Sequence, residues 1–340
     1  MSKSKIPTCY ASCSIGTKPE HDLPAKLKAI SSAGFDAIEL SMPDLLSFAN
    51  SYLDKEVSNY DFPELCEAGK KVKELCEENN LKILILQPFA NFEGWSDDSP
   101  EKEDAWKRAQ GWTQIMEAVG TDMLQVGSSD TPNIKSSPTE LAHDLAQLAD
   151  LLAPKGFRIA YENWCWATHA PTWKSVWEIV QKADRPNIGL CLDTFQTAGS
   201  EWADPTTKSG LIEGINEEAL RKEFYGSLQE LSGTVPKDKI YFLQISDAYR
   251  MDPPLSPEPD ESGLRPRGRW SHDHRPLPFD GGYLPVVEVT KAVLGTGFRG
   301  WFSTEIFDGR MQEKHGDDMA AFAKKAMKAH ERLIKEAGGE

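Results

Sequence analysis

One pattern recurs along the chain: a short aliphatic or β-branched run, a polar turn, then a segment with apolar residues three and four positions apart. Eight of the short runs read as strands, over 8–15, 36–42, 82–89, 123–127, 158–163, 188–195, 240–247 and 300–307. Helical periodicity fills the gaps over 23–33, 62–78, 99–119, 138–152, 172–183, 216–231 and 285–294, and a last helix over 317–336 closes the chain. Asp61-Phe62-Pro63-Glu64 and Ser99-Pro100-Glu101 each set a capping side chain before an early proline, which marks a helix start. Gly34, Gly120, Gly156 and Gly297 fall just after a helix and before a strand, where a left-handed residue ends the helix. Strands apolar on both faces need helices on both sides of a sheet, or a closed ring. Eight βα units predict an α/β fold, a (β/α)8 TIM barrel, as a single domain over 1–340. No GxGxxG follows the first strand to favour an open doubly wound sheet.

Two stretches exceed a minimal barrel: 200–214 after strand six and 249–283 after strand seven. Both follow strands, which puts them on the C-terminal face where barrel enzymes build their sites. The second carries Trp270, His272, His274, Arg275 and Phe279 among prolines and acids, and reads as a lid-like insertion.

Composition narrows the class. No apolar run approaches a membrane span of ~18 residues, and no apolar stretch follows the lysines near Met1 as in a signal peptide. A soluble, cytoplasmic protein is expected, with no membrane partner. The formal net charge of −15 repels nucleic acid, and the one basic cluster, Arg265 to Arg275, is short. The six cysteines include no CxxC pair, and Cys165 and Cys191 lie in apolar runs, as packed reduced thiols do.

The late strands end on polar residues inside apolar runs: Tyr161-Glu162-Asn163-Trp164, Cys191-Leu192-Asp193-Thr194, Leu243-Gln244-Ile245 and Ser303-Thr304-Glu305. A buried carboxylate is costly unless paired or bound to a cation. Three converging in one barrel repel each other, and a divalent metal resolves the repulsion. Oxygen-rich ligands suit Mg²⁺ or Mn²⁺, with Co²⁺ tolerated. Separate structural ion pairs are the alternative for any one acid; four polar groups at one end favour metal. Glu39 and Asp247, two further acids at strand ends, read as groups that orient a ligand or serve structure. Trp173 and Trp177, four apart on a helix, read as core, whereas Trp164 and Trp166 read as a pocket wall.

These segments resemble the xylose-isomerase-like barrel superfamily, and within it the fungal 3-dehydroshikimate dehydratases of quinate catabolism. The resemblance covers nearly the whole chain and rests on Leu86-Gln87-Pro88-Phe89, Tyr161 through Trp166, Arg185 through Phe195, Ala203-Asp204-Pro205-Thr206, Gln244, Trp270-Ser271, Gly282 through Val286, and Gly300 through Phe307. It implies metal ligands Glu162, Asp193, Gln244 and Glu305. Glutamine where sugar isomerases of the superfamily carry histidine leans toward the dehydratases, and too few histidines stand near strand ends for an endonuclease-type zinc site. The resemblance also implies a substrate pocket using Gln87, Phe89 and Trp164. Two family features are missing: Ala90 stands where bacterial members carry an arginine, and Gln196 where some carry a histidine.

The implied reaction is metal-dependent dehydration of 3-dehydroshikimate to protocatechuate: polarisation of a ketone, enolate formation, loss of a hydroxyl as water and aromatisation. The partner expected is thus a small cyclic hydroxyketone acid. His169, which follows the Glu162 strand, is the expected base, ahead of hydroxide or a histidine of the insertion. His272 and Arg275 are expected to bind substrate, with Arg275 gripping its carboxylate. The alternatives are a sugar or keto-polyol isomerase or epimerase of the same superfamily, and a non-catalytic ligand-binding barrel.

Overall fold

The computed structural model describes residues 6–18 and 20–339; residues 1–5, read above for a signal peptide, lie outside the described residues. The strands, in chain order, are β1 (Thr8–Ala11), β2 (Ala37–Ser41), β3 (Lys82–Phe89), β4 (Met123–Gly127), β5 (Arg158–Glu162), β6 (Ile188–Asp193), β7 (Ile240–Ile245), β8 (His274–Arg275), β9 (Trp301–Thr304) and β10 (Phe307–Asp308). β1 to β7 and β9 form one closed barrel in sequence order, every neighbouring pair parallel. β8 and β10 pair antiparallel as a small ribbon.

The helices are α1 (Leu23–Ser32), α2 (Met42–Leu53), α3 (Phe62–Glu78), α4 (Pro100–Val119), α5 (Pro138–Leu152), α6 (Trp173–Ala183), α7 (Thr194–Glu201), α8 (Glu217–Thr234), α9 (Pro266–Asp273), α10 (Val286–Gly295), α11 (Met311–His315) and α12 (Met319–Glu336). Their apolar faces and the outward faces of the strands form the main core. Ser99 caps α4 as expected, accepting from Lys102 N. Asp61 does not cap α3; its carboxylate accepts instead from Ser58 N at 2.8 Å. Gly120 and Gly156 take φ of +77° and +72°, the left-handed turn expected of them.

Four helices went unread in the sequence, the shortest of them α11 after β10. α2 starts within the predicted second strand, where Ser41 caps it and Pro43 opens it. α7 starts directly on Asp193, and α9 lies inside the insertion. All six cysteines are free. Trp173 is buried, with its indole N–H donating to Ser227 Oγ, and Trp177 packs against the main core. No helix among the described residues is long and apolar enough to cross a membrane.

The barrel interior has two layers. The lower is apolar and takes Cys9, Ala37, Ile85, Met123, Ala160, Cys191 and Phe242 from seven successive strands, with Trp301 of β9 packed against it. A strand repeats its facing every two residues. Two residues on, β1 presents Ala11, while β2 to β7 and β9 present Glu39, Gln87, Gln125, Glu162, Asp193, Gln244 and Ser303, all buried. The polar layer lies toward the strands' C-terminal ends, which defines the site.

Candidate active site

Glu162, Asp193 and Glu305 bring one carboxylate oxygen each within 4.8 Å of one another. Glu162 closes β5 and accepts from Gln125 Nε2 of β4 and from Trp164 Nε1 at 3.2 Å. Gly127 makes that possible: a Cβ there would fall 2.2 Å from the Trp164 ring. Asp193 closes β6 and caps α7, accepting from Phe195 N at 2.5 Å and Gln196 N at 3.3 Å. Glu305 stands just past β9 and accepts from Gln244 Nε2 at 3.0 Å and Gln87 Nε2 at 3.4 Å. Gln244 Nε2 also donates to Glu39 at 2.8 Å, and Ser303 donates to the other Glu39 oxygen.

One cation faces the four acids. Arg275 of β8 is fully buried, with Nη2 2.5 Å from Asp193 and 3.0 Å from Glu305. Its Nε donates to Ser246 Oγ at 2.9 Å and its Nη1 to Ser271 Oγ at 3.3 Å. Its guanidinium lies 4.6 Å from the Phe195 ring and 5.3 Å from the Phe307 ring.

Burial dominates the electrostatics. Burial, then Glu305 and Asp193, hold the Glu162 carboxyl well above the usual carboxylate range. Glu39 is raised in the same way, by burial and then Glu305. Burial raises Asp193 in spite of Arg275 and the helix N–H groups, and pushes Glu305 up to about 7 against the pull of Arg275. Burial alone would lower the Arg275 guanidinium, but Asp193, Glu305 and Glu162 outweigh it and raise it. Four carboxylates against one guanidinium leave this layer short of positive charge, which fits a divalent cation. The Gln244 amide fits as well. With its nitrogen between Glu39 and Glu305, the opposite amide orientation would turn its oxygen toward the acids, which only a cation between them would favour.

Residues 27–330 match the xylose isomerase-like TIM barrel family. The chain belongs to that family. It is 34% identical over 307 residues to a 3-dehydroshikimate dehydratase of Neurospora crassa, covering 86% of this chain and 84% of the relative. It is 32% identical over 286 residues to one of Pseudomonas aeruginosa, covering 84% of this chain but only 36% of that longer protein. Among solved structures, a fusion of a xylose isomerase-like TIM barrel with a 4-hydroxyphenylpyruvate dioxygenase aligns with a TM-score of 0.74 and 26% identity, over 98% of this chain and 44% of that one.

In this xylose isomerase-like barrel the residues singled out in the sequence divide into two groups. Glu162, Asp193, Gln244, Glu305 and Gln87 meet in the polar layer, and Glu39 joins them through Gln244. Trp164 stacks on Trp166 with centroids 5.0 Å apart, and Trp166 meets the His272 ring edge-on at 5.9 Å. Burial and Arg275 lower the His272 imidazole below its ordinary value.

Phe89 departs from expectation. It lies on the outward face, packed on Trp112 of α4 at 4.9 Å and not on substrate. A bulge is the reason: β3 spends three residues from Leu86 to Phe89 where β4 spends two from Leu124 to Val126, so the alternation slips. His169 is exposed and has no hydrogen bond or ion pair among the described residues, so nothing ties it to the acids. The insertion is built structure rather than a loose lid. Arg265 donates to Trp166 O and Asp130 O, Arg267 to Gly199 O and Ala203 O, and Arg269 to Ser256 O and Glu258 O. The bonds of Arg265 and Arg267 fasten α9 to α7 and to the segments after β4 and β5, and those of Arg269 tie the insertion to itself. Arg275, expected to hold a substrate carboxylate, is buried and paired with Asp193 and Glu305, because it is the cation that faces these closely spaced acids. The sequence reading missed Gln125 altogether. Its signal was the period of two applied to β4, which places Gln125 beside Glu162.

Proposed function

We propose that this chain is a divalent-cation-dependent 3-dehydroshikimate dehydratase forming protocatechuate. Glu162, Asp193, Gln244 and Glu305 would hold the ion, Mn²⁺ or Mg²⁺, with Co²⁺ tolerated by such oxygen donors. When bound, the ion supplies Lewis-acid polarisation of the substrate's ketone. The protein's groups manage the protons and the shape of the pocket. The carbon between the ketone and the departing hydroxyl must lose a proton, and the hydroxyl must gain one to leave as water. His272 takes the first of these roles in place of His169: burial and Arg275 lower its imidazole below the ordinary value and so favour the unprotonated form, beside the tryptophan wall. Loss of a second ring proton and protonation of the ketone oxygen complete the aromatic product, so the sum of the reaction is loss of one water.

Trp164 and Trp166 give a flat wall for a six-membered ring and exclude water from that side. Gln87 and Gln125 keep Glu305 and Glu162 in place. Arg275 offsets the acid charge and orients Asp193. The support for this reading is the match to the Neurospora enzyme along most of both chains, in a barrel whose polar layer keeps all four proposed ligands together. The test is incubation of the protein with Mn²⁺ and 3-dehydroshikimate while aromatic absorbance is followed. Growth of a protocatechuate spectrum supports the assignment; no signal, with turnover of a ketose instead, overturns it.

A further inference from the structure

The sequence contains twelve arginines. Ten of them spend side-chain N–H groups on carboxylates, hydroxyls or backbone carbonyls. Among the described residues, Arg250 and Arg310 alone have no side-chain hydrogen bond or ion pair, and both line one cleft of about 500 Å³. Its walls come from the loop after α7, both ends of the insertion, and the turn before α11, with Trp202, Tyr249 and Tyr283 as its aromatic members. No acid lines it, in a protein of net charge −15.

The two cations are positioned. Gly210, at φ +75°, has no room for a side chain: a Cβ would fall 2.8 Å from Arg250 Cγ and 2.9 Å from Tyr283 Oη. The Arg250 stem therefore rests on the Gly210 backbone beside the Tyr283 ring. Tyr283 donates its hydroxyl proton to Gly210 O at 2.5 Å, which fixes that wall. Arg310 lies 4.6 Å from the centroid of the Tyr249 ring. The nearby acids are already engaged: Asp308 accepts from Tyr249 Oη, and Asp204 pairs with Arg267.

We propose that this cleft binds a small planar carboxylate, at a site separate from the acid layer. Unpaired guanidinium forks match a carboxylate in shape and charge. The aromatic walls suit a flat ring, and the volume suits a molecule of one ring. Inorganic phosphate would satisfy the arginines but leave those walls unused. Without a cation the acid layer repels such a ligand, so binding to the cation-free protein reports on this cleft. A ligand here would touch residues 249–250 and 281–283 together, and so hold both ends of the segment that carries Arg275.

The test is calorimetric titration of the full chain with benzoate, with inorganic phosphate as the comparison, first without and then with Mn²⁺. The expected result is a saturable event already present without Mn²⁺, weakened about tenfold or more in the Arg250→Ala/Arg310→Ala protein, with phosphate binding more weakly by a similar factor. Binding that is absent, or unchanged in the double variant, overturns the site. Phosphate binding as tightly as the aromatic acid overturns the ligand class. Both arginines are exposed, so the variant should fold, and an unchanged melting temperature confirms that it does. No turnover is read, so failure here leaves the dehydratase assignment standing.

Discussion

The two layers inside the barrel sit two residues apart on the same strands, yet they obey opposite rules. Ala160 and Glu162, Cys191 and Asp193, and Phe242 and Gln244 share strand, facing and burial. The lower layer closes the barrel by packing, where shape and area removed from water set the stability. The upper layer collects carboxylates whose burial works against the folded state unless a cation compensates them. Stability and chemistry are thus separated by one step of the pleat, and substitutions at the two levels should fail in different ways.

The sharpest contrast is in turnover. Glu162→Gln or Glu305→Gln should lower kcat by at least ~10³, since a metal supplies several kcal/mol to the transition state, while the barrel still folds. Steady-state kinetics beside circular dichroism would check this, and activity within about tenfold of wild type would remove these residues from the ligand set. One step down, Phe242→Ala should do the reverse. It should cost about 3–5 kcal/mol of stability by opening a cavity, read as a lower denaturation midpoint, with the acids unchanged.

Arg275 joins the two behaviours, and its removal should affect both. Arg275→Ala leaves Asp193 and Glu305 uncompensated, so the cation-free protein should lose about 3–5 kcal/mol by denaturant titration. Arg275→Lys should recover only part of that, because one ammonium cannot reach Ser246, Ser271 and both acids. Were Arg275 a loosely held substrate anchor, KM would rise and stability would not change.

A smaller effect follows from pH. Glu39, Glu162, Asp193 and Glu305 all have folded-state values raised by burial, Glu305 to about 7. A raised acid binds more protons folded than unfolded between its two values, so stability falls as pH rises through that window. The cation-free protein should therefore melt at a higher temperature near pH 5 than near pH 8. Saturating Mn²⁺ should flatten or reverse the slope, and a cation-free protein that gains stability toward pH 8 would contradict the charge account.

The alternation of strand and helix, the count of eight and the convergence of Glu162, Asp193, Gln244 and Glu305 at one end of the barrel were legible because each rests on a short-range period or a strand end. Phe89 was misplaced because a bulge in β3 breaks the alternation, which nothing in the residue types announces. α2 and α7 were lost for another reason: each begins on the last residues of a strand, so one apolar run continues from one element into the next. Arg275 was found but misassigned. Its partners lie 82 and 30 residues away in sequence, and only the closed barrel shows that three buried acids meet there. The role of Arg265, Arg267 and Arg269 in fastening the insertion went unread because sequence does not reveal donors committed to backbone carbonyls.

The central claim is that the polar layer is a cation site. The most direct measurement is titration of the chelator-treated protein with Mn²⁺, followed by calorimetry and by melting temperature. The account predicts one saturable event per chain, a rise in melting temperature with added ion, and loss of both in Glu162→Gln with the fold intact. No binding, or binding unchanged in that variant, would contradict it.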